Sequence, residues 1–345
     1  MLNPALEVED QTRTVSLVVA LADYAATFAI ENASVIKTAR QCLVDALGCG
    51  FEALRDPECA ARIGPLVPGA LMPGGARVPG TSLELDPAQA AYCTSLMLCR
   101  SANGGHWAAL QSGRATDPIG AILAVADYRA RKATMEGKPP PRVRDLLAAI
   151  AKALEIQSVL TFEGSPHDIA IETATIRISR VATTAVVAAQ LSGTLGQIVT
   201  ALSYACIDIG MLVDLEHRHE GGRGDWARAD AASRAVRHAC QAMNASPSSY
   251  LTSDDLKAVD LAGKSLGAKS ATAKKSFGTD VMDRMAAART HEEVAHLTTR
   301  FQTAVDRYFP VRQAERIKAL FAAPERLDDL PVNELLAALV TNGSR

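Results

Sequence analysis

The sequence has few aromatic residues and no excess of either charge. Aromatic side chains make up 4% of the 345 residues, and there are only two tryptophans. The 36 lysines and arginines nearly balance the 38 aspartates and glutamates. This balance argues against binding to nucleic acid or to a membrane surface driven by net charge, so we expect neither partner. The abundant alanine instead favours helices, since alanine loses little side-chain entropy in a helix.

The chain also lacks paired cysteine motifs and long apolar runs. None of its seven cysteines forms a Cys-x-x-Cys pair. Without a secretory signal, this usage predicts reduced thiols in a cytoplasmic protein. The most apolar stretch, residues 16–30, contains Asp23 and is too short to span a bilayer comfortably. It therefore predicts a core helix.

No stretch alternates polar and apolar residues for long, so the sequence predicts an all-α fold with at most minor β structure. Asp86 and Asp117 each precede a proline, an arrangement that predicts an N-cap and a first helical residue. Thr194 and Gln197 form a predicted capping box. Further helices are predicted over residues 226–243, 292–309 and 311–321. Residues 63–85 predict an extended loop, and residues 245–280 predict a polar connector.

Two windows share one design. They read RSANGGHWAALQSGR (100–114) and DLEHRHEGGRGDWAR (214–228). Each ends a helix, continues through Gly-Gly and histidine, and has a tryptophan near the next helix. Histidine suits acid/base work near neutral pH, and arginine binds carboxylates through two parallel hydrogen bonds. The candidate catalytic residues are His106, His217 and His219, and the candidate substrate-binding residues are Asn103, Trp107, Arg114, Arg223 and Trp226.

These windows point to a small carboxylate ligand, because glycine-rich helix starts also present free N–H donors to an anion. The alternative is structural: glycines that end helices, solvated histidines and arginines, and tryptophans packed in the core. We expect no metal, since His217 and His219 share a face only in an extended chain and no HExxH motif or cysteine cluster accompanies them. No nucleotide-binding glycine motif and no GxSxG nucleophile elbow are present either.

Several long stretches, in the same order, resemble the MmgE/PrpD family, which includes 2-methylcitrate dehydratase and is related to cis-aconitate decarboxylase. They include CLVDALGCGFEAL (42–54), RVPGTSLELDPAQAAY (77–92), IGAILAVADY (119–128), VATTAVVA (181–188) and DWARADAASRAVR (225–237). The resemblance implies an all-helical domain built from both chain ends, with a smaller α+β domain inserted between them. It also implies a homodimer that needs no organic cofactor.

The chain is shorter than this family's usual length, and the missing part falls between about residues 245 and 300. The resemblance therefore implies a helical MmgE/PrpD-type domain over 1–245, with the usual α+β domain largely missing. Residues 246–290 would form a polar connector in its place. Residues 291–345 would form C-terminal helices that pack back on the helical domain.

The proton-transfer positions implied by the resemblance are altered. Ala102 stands where family dehydratases carry an aspartate, His106 stands in place of a threonine, and Arg114 falls where a histidine is usual. Thr175 and Gly224 take the places of a further histidine and a lysine. Alanine and glycine cannot transfer protons or clamp carboxylates. The chemistry has therefore either moved to new residues or been lost.

Three functions remain open from the sequence. The first is a lyase, a dehydratase or decarboxylase for a small or alkyl-substituted polycarboxylate of the methylcitrate/aconitate type. In it, His106 would be the acid/base and Arg114 and Arg223 the carboxylate clamps. The second is an isomerase or cyclase of a specialised biosynthetic pathway. The third is a non-catalytic protein, either a catalytically inactive paralogue or a dimerising partner of a full-length relative.

Overall fold

The computed structural model describes residues 17–100, 114–160, 169–211, 224–244 and 278–341. Helices dominate these residues, and the only strands among them are two residues long, which confirms the all-α prediction. The helices are α1 (17–27), α2 (Ala33–Ala53), α3 (Pro57–Ala60), α4 (Pro87–Cys99), α5 (Ile119–Met135), α6 (Val143–Val159), α7 (Ile169–Gln190), α8 (Leu195–Met211), α9 (Gly224–Met243), α10 (Asp280–Ala288), α11 (His291–Tyr308), α12 (Val311–Phe321), α13 (Pro324–Asp329) and α14 (Val332–Ala338).

Two short strands lie within the predicted extended loop. Strand β1 (Ala76–Arg77) pairs antiparallel with β2 (Glu84–Leu85), and Ala76 lies opposite Leu85. Arg77 also donates to the buried carboxylate of Asp127 on α5 through Nη2, at 2.5 Å. This ion pair attaches the strand pair to the helical core.

Most predicted helix starts are confirmed. Asp86 accepts the backbone N–H groups of Ala88 and Gln89 at 3.0 and 3.1 Å. Thr194 and Gln197 cap each other's N–H groups at the start of α8. The prediction for Asp117 was wrong: α5 begins at Ile119 without a side-chain cap. The Asp117 carboxylate instead accepts from the Arg114 backbone N–H and from the side chain of Arg228, which is distant in sequence.

The central helices approach closely because small residues line their interfaces. α4 packs against α9 and α5, and α7 packs against α8, α9 and α6. A Cβ atom added at Gly120 of α5 would lie only 2.2 Å from Ser95 Oγ of α4. This close crossing places the end of α4 beside the start of α5.

The C-terminal helices α10 and α11 pack against helices from the first half of the chain. α11 packs against α2, and the side chains of Leu297, Phe301 and Val305 are buried. α10 lies within the segment predicted as a connector, and its Met282 N–H donates to Glu155 of α6 at 2.8 Å. Residues 245–277 lie outside the described residues, so the division into domains stays a prediction.

The predicted core helix in the most apolar stretch is present over residues 17–27, with Leu21 and Ala22 buried. Among the described residues, no helix combines the length and apolar character needed to cross a membrane. The seven cysteines are free thiols, and six of them are buried.

Candidate active site

The structure describes only part of the two glycine-rich windows. Arg114 and Trp226 are described: Arg114 precedes the turn that leads into α5, and Trp226 lies on the first turn of α9. The other predicted site residues lie outside the described residues, namely Asn103, His106, Trp107, His217, His219 and Arg223. The described residues are therefore those at the helix ends on either side of both windows.

A buried ion pair joins the ends of the two windows. Asp117 Oδ2 accepts from Arg228 Nη1 at 2.6 Å and from the Arg114 backbone N–H at 3.0 Å. Both charged side chains are buried, at 3% exposed for Asp117 and 6% for Arg228. Removing Arg228 would leave the Asp117 carboxylate buried without this cation, so the pair holds the start of α5 against the start of α9.

The end of α4 completes this arrangement. Arg114 Nη1 donates to the Cys99 carbonyl at 3.3 Å, and Cys99 Sγ lies 3.9 Å from Asp117 Oδ1. Burial raises the pKa of the Cys99 thiol to about 12, so the thiol is protonated and is not a nucleophile near neutral pH. Next to it, Arg100 donates to Asp56 and Glu58 near α3 at 2.8 and 2.9 Å. Both flanks of the first window are thus anchored by arginines.

Trp226 lies at the surface on the first turn of α9. Its residue surface is 52% exposed. The alternative that this tryptophan is packed in the core is therefore wrong. A large aromatic ring that remains in solvent beside a buried ion pair is available to contact a ligand, although its role in binding stays a prediction.

A second polar cluster lies between α7, α8 and α9. Asp208 Oδ2 accepts from Arg180 Nη1 at 2.6 Å and lies 3.2 Å from His238 Nε2. Its Oδ1 accepts from Arg234 Nη1 at 3.0 Å, and Arg234 Nε donates to Asp230 at 2.7 Å. Burial opposes ionisation of Asp208, but His238, Arg180 and Arg234 outweigh it and lower its pKa to about 2. Three helices therefore share one ionised carboxylate.

Sequence reasoning missed this cluster. Its signal was present in α7, where Arg177 and Arg180 lie in a largely apolar helix at a spacing that places them on one face. Both arginines are buried, at 6% and 3% exposed. Two arginines on a buried face need partners from other helices, and those partners cannot be read from local sequence.

The C-terminal end of α8 stops short of the N-terminal ends of α7 and α9, which pack beside it. α8 and α9 run antiparallel, because Gln197 contacts Met243 and Asp208 contacts Arg234. With this register α8 ends about level with residue 231, so α9 extends roughly 10 Å beyond it. α7 likewise continues beyond the level of Arg177. The second window starts from this recessed helix end.

The described side chains here are mainly cationic. Arginines outnumber aspartates among the described side chains of the two clusters, which are Arg114, Arg177, Arg180, Arg228 and Arg234 with Asp117, Asp208 and Asp230. Such a set favours an anion with more than one carboxylate. Within the described part of the chain, no three His, Cys, Asp or Glu residues are placed to hold a metal ion.

Comparison with known proteins agrees with this fold. The profile of the MmgE/PrpD N-terminal domain matches residues 19–253. The chain is 40% identical over 222 residues to a 2-methylcitrate dehydratase of Cupriavidus necator, an alignment that covers 64% of the chain and 46% of that protein. It is 40% identical over 226 residues to the 2-methylcitrate dehydratase of Escherichia coli K12, covering 65% and 46% respectively.

A mitochondrial 2-methylcitrate dehydratase of Yarrowia lipolytica is 37% identical over 219 residues, covering 63% of the chain and 42% of the relative. The chain thus spans less than half the length of the curated relatives that it matches. The matched part contains every helix that contributes to the two polar clusters.

Proposed function

Because the chain belongs to the MmgE/PrpD family, we propose that it is a lyase acting on a small or alkyl-substituted polycarboxylate. The reaction would be a dehydration or a decarboxylation of a methylcitrate- or aconitate-type compound. The observation that carries this proposal is the Asp117–Arg228 ion pair, which joins the ends of both candidate windows beside further arginines. The names of the relatives supply the class of substrate.

The proposed roles follow the needs of the reaction. Dehydration requires a base for the C–H proton, an acid for the departing hydroxyl group, and cations for the carboxylates. We assign acid/base roles to His106, His217 and His219. Arg223 would hold a carboxylate, and Asn103, Trp107 and Trp226 would contact the rest of the substrate.

Arg114 is well placed to hold a second carboxylate. Its guanidinium is partly exposed and uses Nη1 for the Cys99 carbonyl. A guanidinium has five N–H donors, and the other four are not engaged by the described residues. Arg114 can thus remain fixed to the end of α4 and still bind a substrate carboxylate through its free edge.

The direct test is to incubate the purified protein with 2-methylcitrate, citrate and cis-aconitate. Unsaturated product is followed by absorbance, and released CO₂ is measured separately. Turnover of at least one compound is expected, and no turnover of any would contradict the lyase proposal. His106→Ala should then reduce kcat by roughly 10²-fold, as expected for loss of a general acid or base. An unchanged rate would exclude His106 from the mechanism.

One observation favours a non-catalytic alternative. Gly224, the first residue of α9, has no side chain at the position where the resemblance places a lysine. A chain without turnover that still forms a stable complex with a full-length relative would fit this alternative. The homodimer and the cytoplasmic location are proposals as well, and light scattering of the purified protein tests the dimer.

A further inference from the structure

Arg180 has a buried hydrogen-bond donor without an acceptor. Its side chain is 3% exposed, and Nη1 donates to Asp208. Its Nε atom is fully buried and has no hydrogen-bond partner among the described residues. His238 Nδ1 is also buried without a hydrogen-bond partner among the described residues. His238 Nε2 contacts Asp208 Oδ2, the oxygen that also accepts from Arg180 Nη1. A guanidinium N–H is always charged, and leaving it unsatisfied in the interior is unfavourable.

The nearby carboxylates are already engaged. Asp208 receives Arg180, Arg234 and His238, and Asp230 receives Arg234 Nε. A carboxylate can accept about four hydrogen bonds, but neither Asp208 nor Asp230 is within hydrogen-bond reach of Arg180 Nε. The missing acceptor has to come from outside this set of side chains.

A further cation lies beside Arg180. Arg177 lies one turn closer to the N-terminus of α7 and is about level with the end of α8. The charge of Arg180 lowers the pKa of Arg177, after the larger effect of burial, so the two guanidiniums repel each other. An anion next to both would relieve this repulsion and supply the acceptor that Nε lacks.

We propose that Arg180 Nε, together with Arg177, forms a subsite for one carboxylate of an organic polycarboxylate, at the recessed end of α8. Asp208 holds the Arg180 guanidinium from its other side and fixes its orientation. The ligand class rests on the proposed function, whereas the presence of an anion site rests on the cluster itself. This subsite is distinct from Arg114 and the Asp117–Arg228 pair, which lie at the starts of α5 and α9.

Tricarballylate is a suitable probe, because it has three carboxylates but no hydroxyl group that could be eliminated. Its dissociation constant is measured by calorimetry for the wild type, Arg180→Gln and Arg234→Gln. Arg234 is the matched control: it also binds Asp208, but its Nε already donates to Asp230. We expect Arg180→Gln to weaken binding about tenfold to a hundredfold, since one charge-assisted hydrogen bond is lost. Arg234→Gln should weaken it less than about threefold.

Equal losses in both variants would mean that only net charge matters and would overturn the subsite. Unchanged binding in Arg180→Gln would overturn it too. If that variant does not fold, the wild type still tests the proposal by NMR with ¹⁵N-labelled arginine. The Arg180 Nε–H resonance, assigned by its loss in Arg180→Lys, should shift on adding tricarballylate, and a resonance that does not move contradicts the proposal.

These measurements separate the subsite from the proposed reaction. Arg180-dependent binding of tricarballylate without turnover of any polycarboxylate would support the subsite and contradict the lyase. Turnover with unchanged kcat/KM in Arg180→Gln would support the lyase and contradict the subsite.

Discussion

The α2–α11 interface and the α7–α8–α9 interface belong to one helical bundle but are built from different side chains. The first gathers much of the chain's scarce aromatic material: the rings of Phe51 and Phe309 meet edge to face at 4.9 Å, and Phe301 and Phe321 are 4.8 Å apart. The second is built around the Asp208 carboxylate. Apolar packing contributes stability directly, whereas a buried charged cluster contributes little net stability and fixes specific groups in place.

The largest expected effect on stability lies in the aromatic interface. Phe301 is 2% exposed, so Phe301→Ala removes a buried ring and leaves a cavity. The free energy of unfolding should fall by about 3–5 kcal/mol. Urea denaturation measures it, with the exposed neighbour Gln302→Ala as a control that should change stability by less than about 0.5 kcal/mol. If both variants lost similar amounts of unfolding free energy, the α2–α11 interface would not be part of the hydrophobic core.

A somewhat smaller effect is expected at the Asp117–Arg228 pair. Arg228→Ala leaves the Asp117 carboxylate buried without its cation, and stability should fall by about 3 kcal/mol. The double variant Asp117→Leu, Arg228→Leu should recover most of this loss, because no charge remains buried. Its carboxylate binding should nevertheless stay impaired. Recovery of both stability and binding would contradict the role assigned to the ion pair.

The contact between Glu155 and α10 should make stability depend on pH. Burial raises the pKa of Glu155 from 4.5 to about 7, against the opposing effect of the Met282 and Val281 N–H groups. The folded protein therefore holds this proton more tightly than the unfolded chain. This contribution is fully present below about pH 4.5 and is lost as the pH rises to about 7.

Between pH 4.5 and 8, the loss attributable to Glu155 should be roughly 3 kcal/mol at most. Glu155→Gln keeps an oxygen acceptor for the Met282 N–H but has no proton to release. Comparing urea unfolding of the two proteins at both pH values isolates this group. If both proteins show the same pH dependence, Glu155 is not responsible.

The smallest effect on stability is expected at Trp226. Because this residue is half-exposed on the first turn of α9, Trp226→Ala should change the unfolding free energy by less than about 0.5 kcal/mol. If the ring contacts the ligand, the same variant should weaken tricarballylate binding severalfold. The exposed residue Val311 provides a control, since Val311→Ala should alter neither quantity. Loss of stability without loss of binding would make Trp226 a structural residue.

Much of the secondary structure was predictable because its signals are local. A capping box spans four residues, and both members of the Thr194–Gln197 pair are visible in the sequence. The predicted helix over residues 311–321 has the bounds observed for α12. Helix α10 was missed, since its nine residues lie next to a polar stretch and are held by contacts with α2 and α6.

The candidate site was predictable only in part. The two windows could be identified by their glycines, histidines and tryptophans, and both begin and end at helices that meet in the structure. Asp117 was assigned as a helix cap because it precedes a proline, which is a local rule. The carboxylate binds Arg228 instead, and a partner 111 residues away leaves no local pattern.

The amino-acid sequence by itself determined most of the helices, the family and the two unusual windows, because periodicity, capping and residue type are properties of short stretches. Only the tertiary structure decided which charges are buried together. Helix packing brought Arg180, Asp208 and His238 to one place and left Arg180 Nε without an acceptor among the described residues. Burial makes that unsatisfied donor significant, since the same N–H group in solvent would simply bind water.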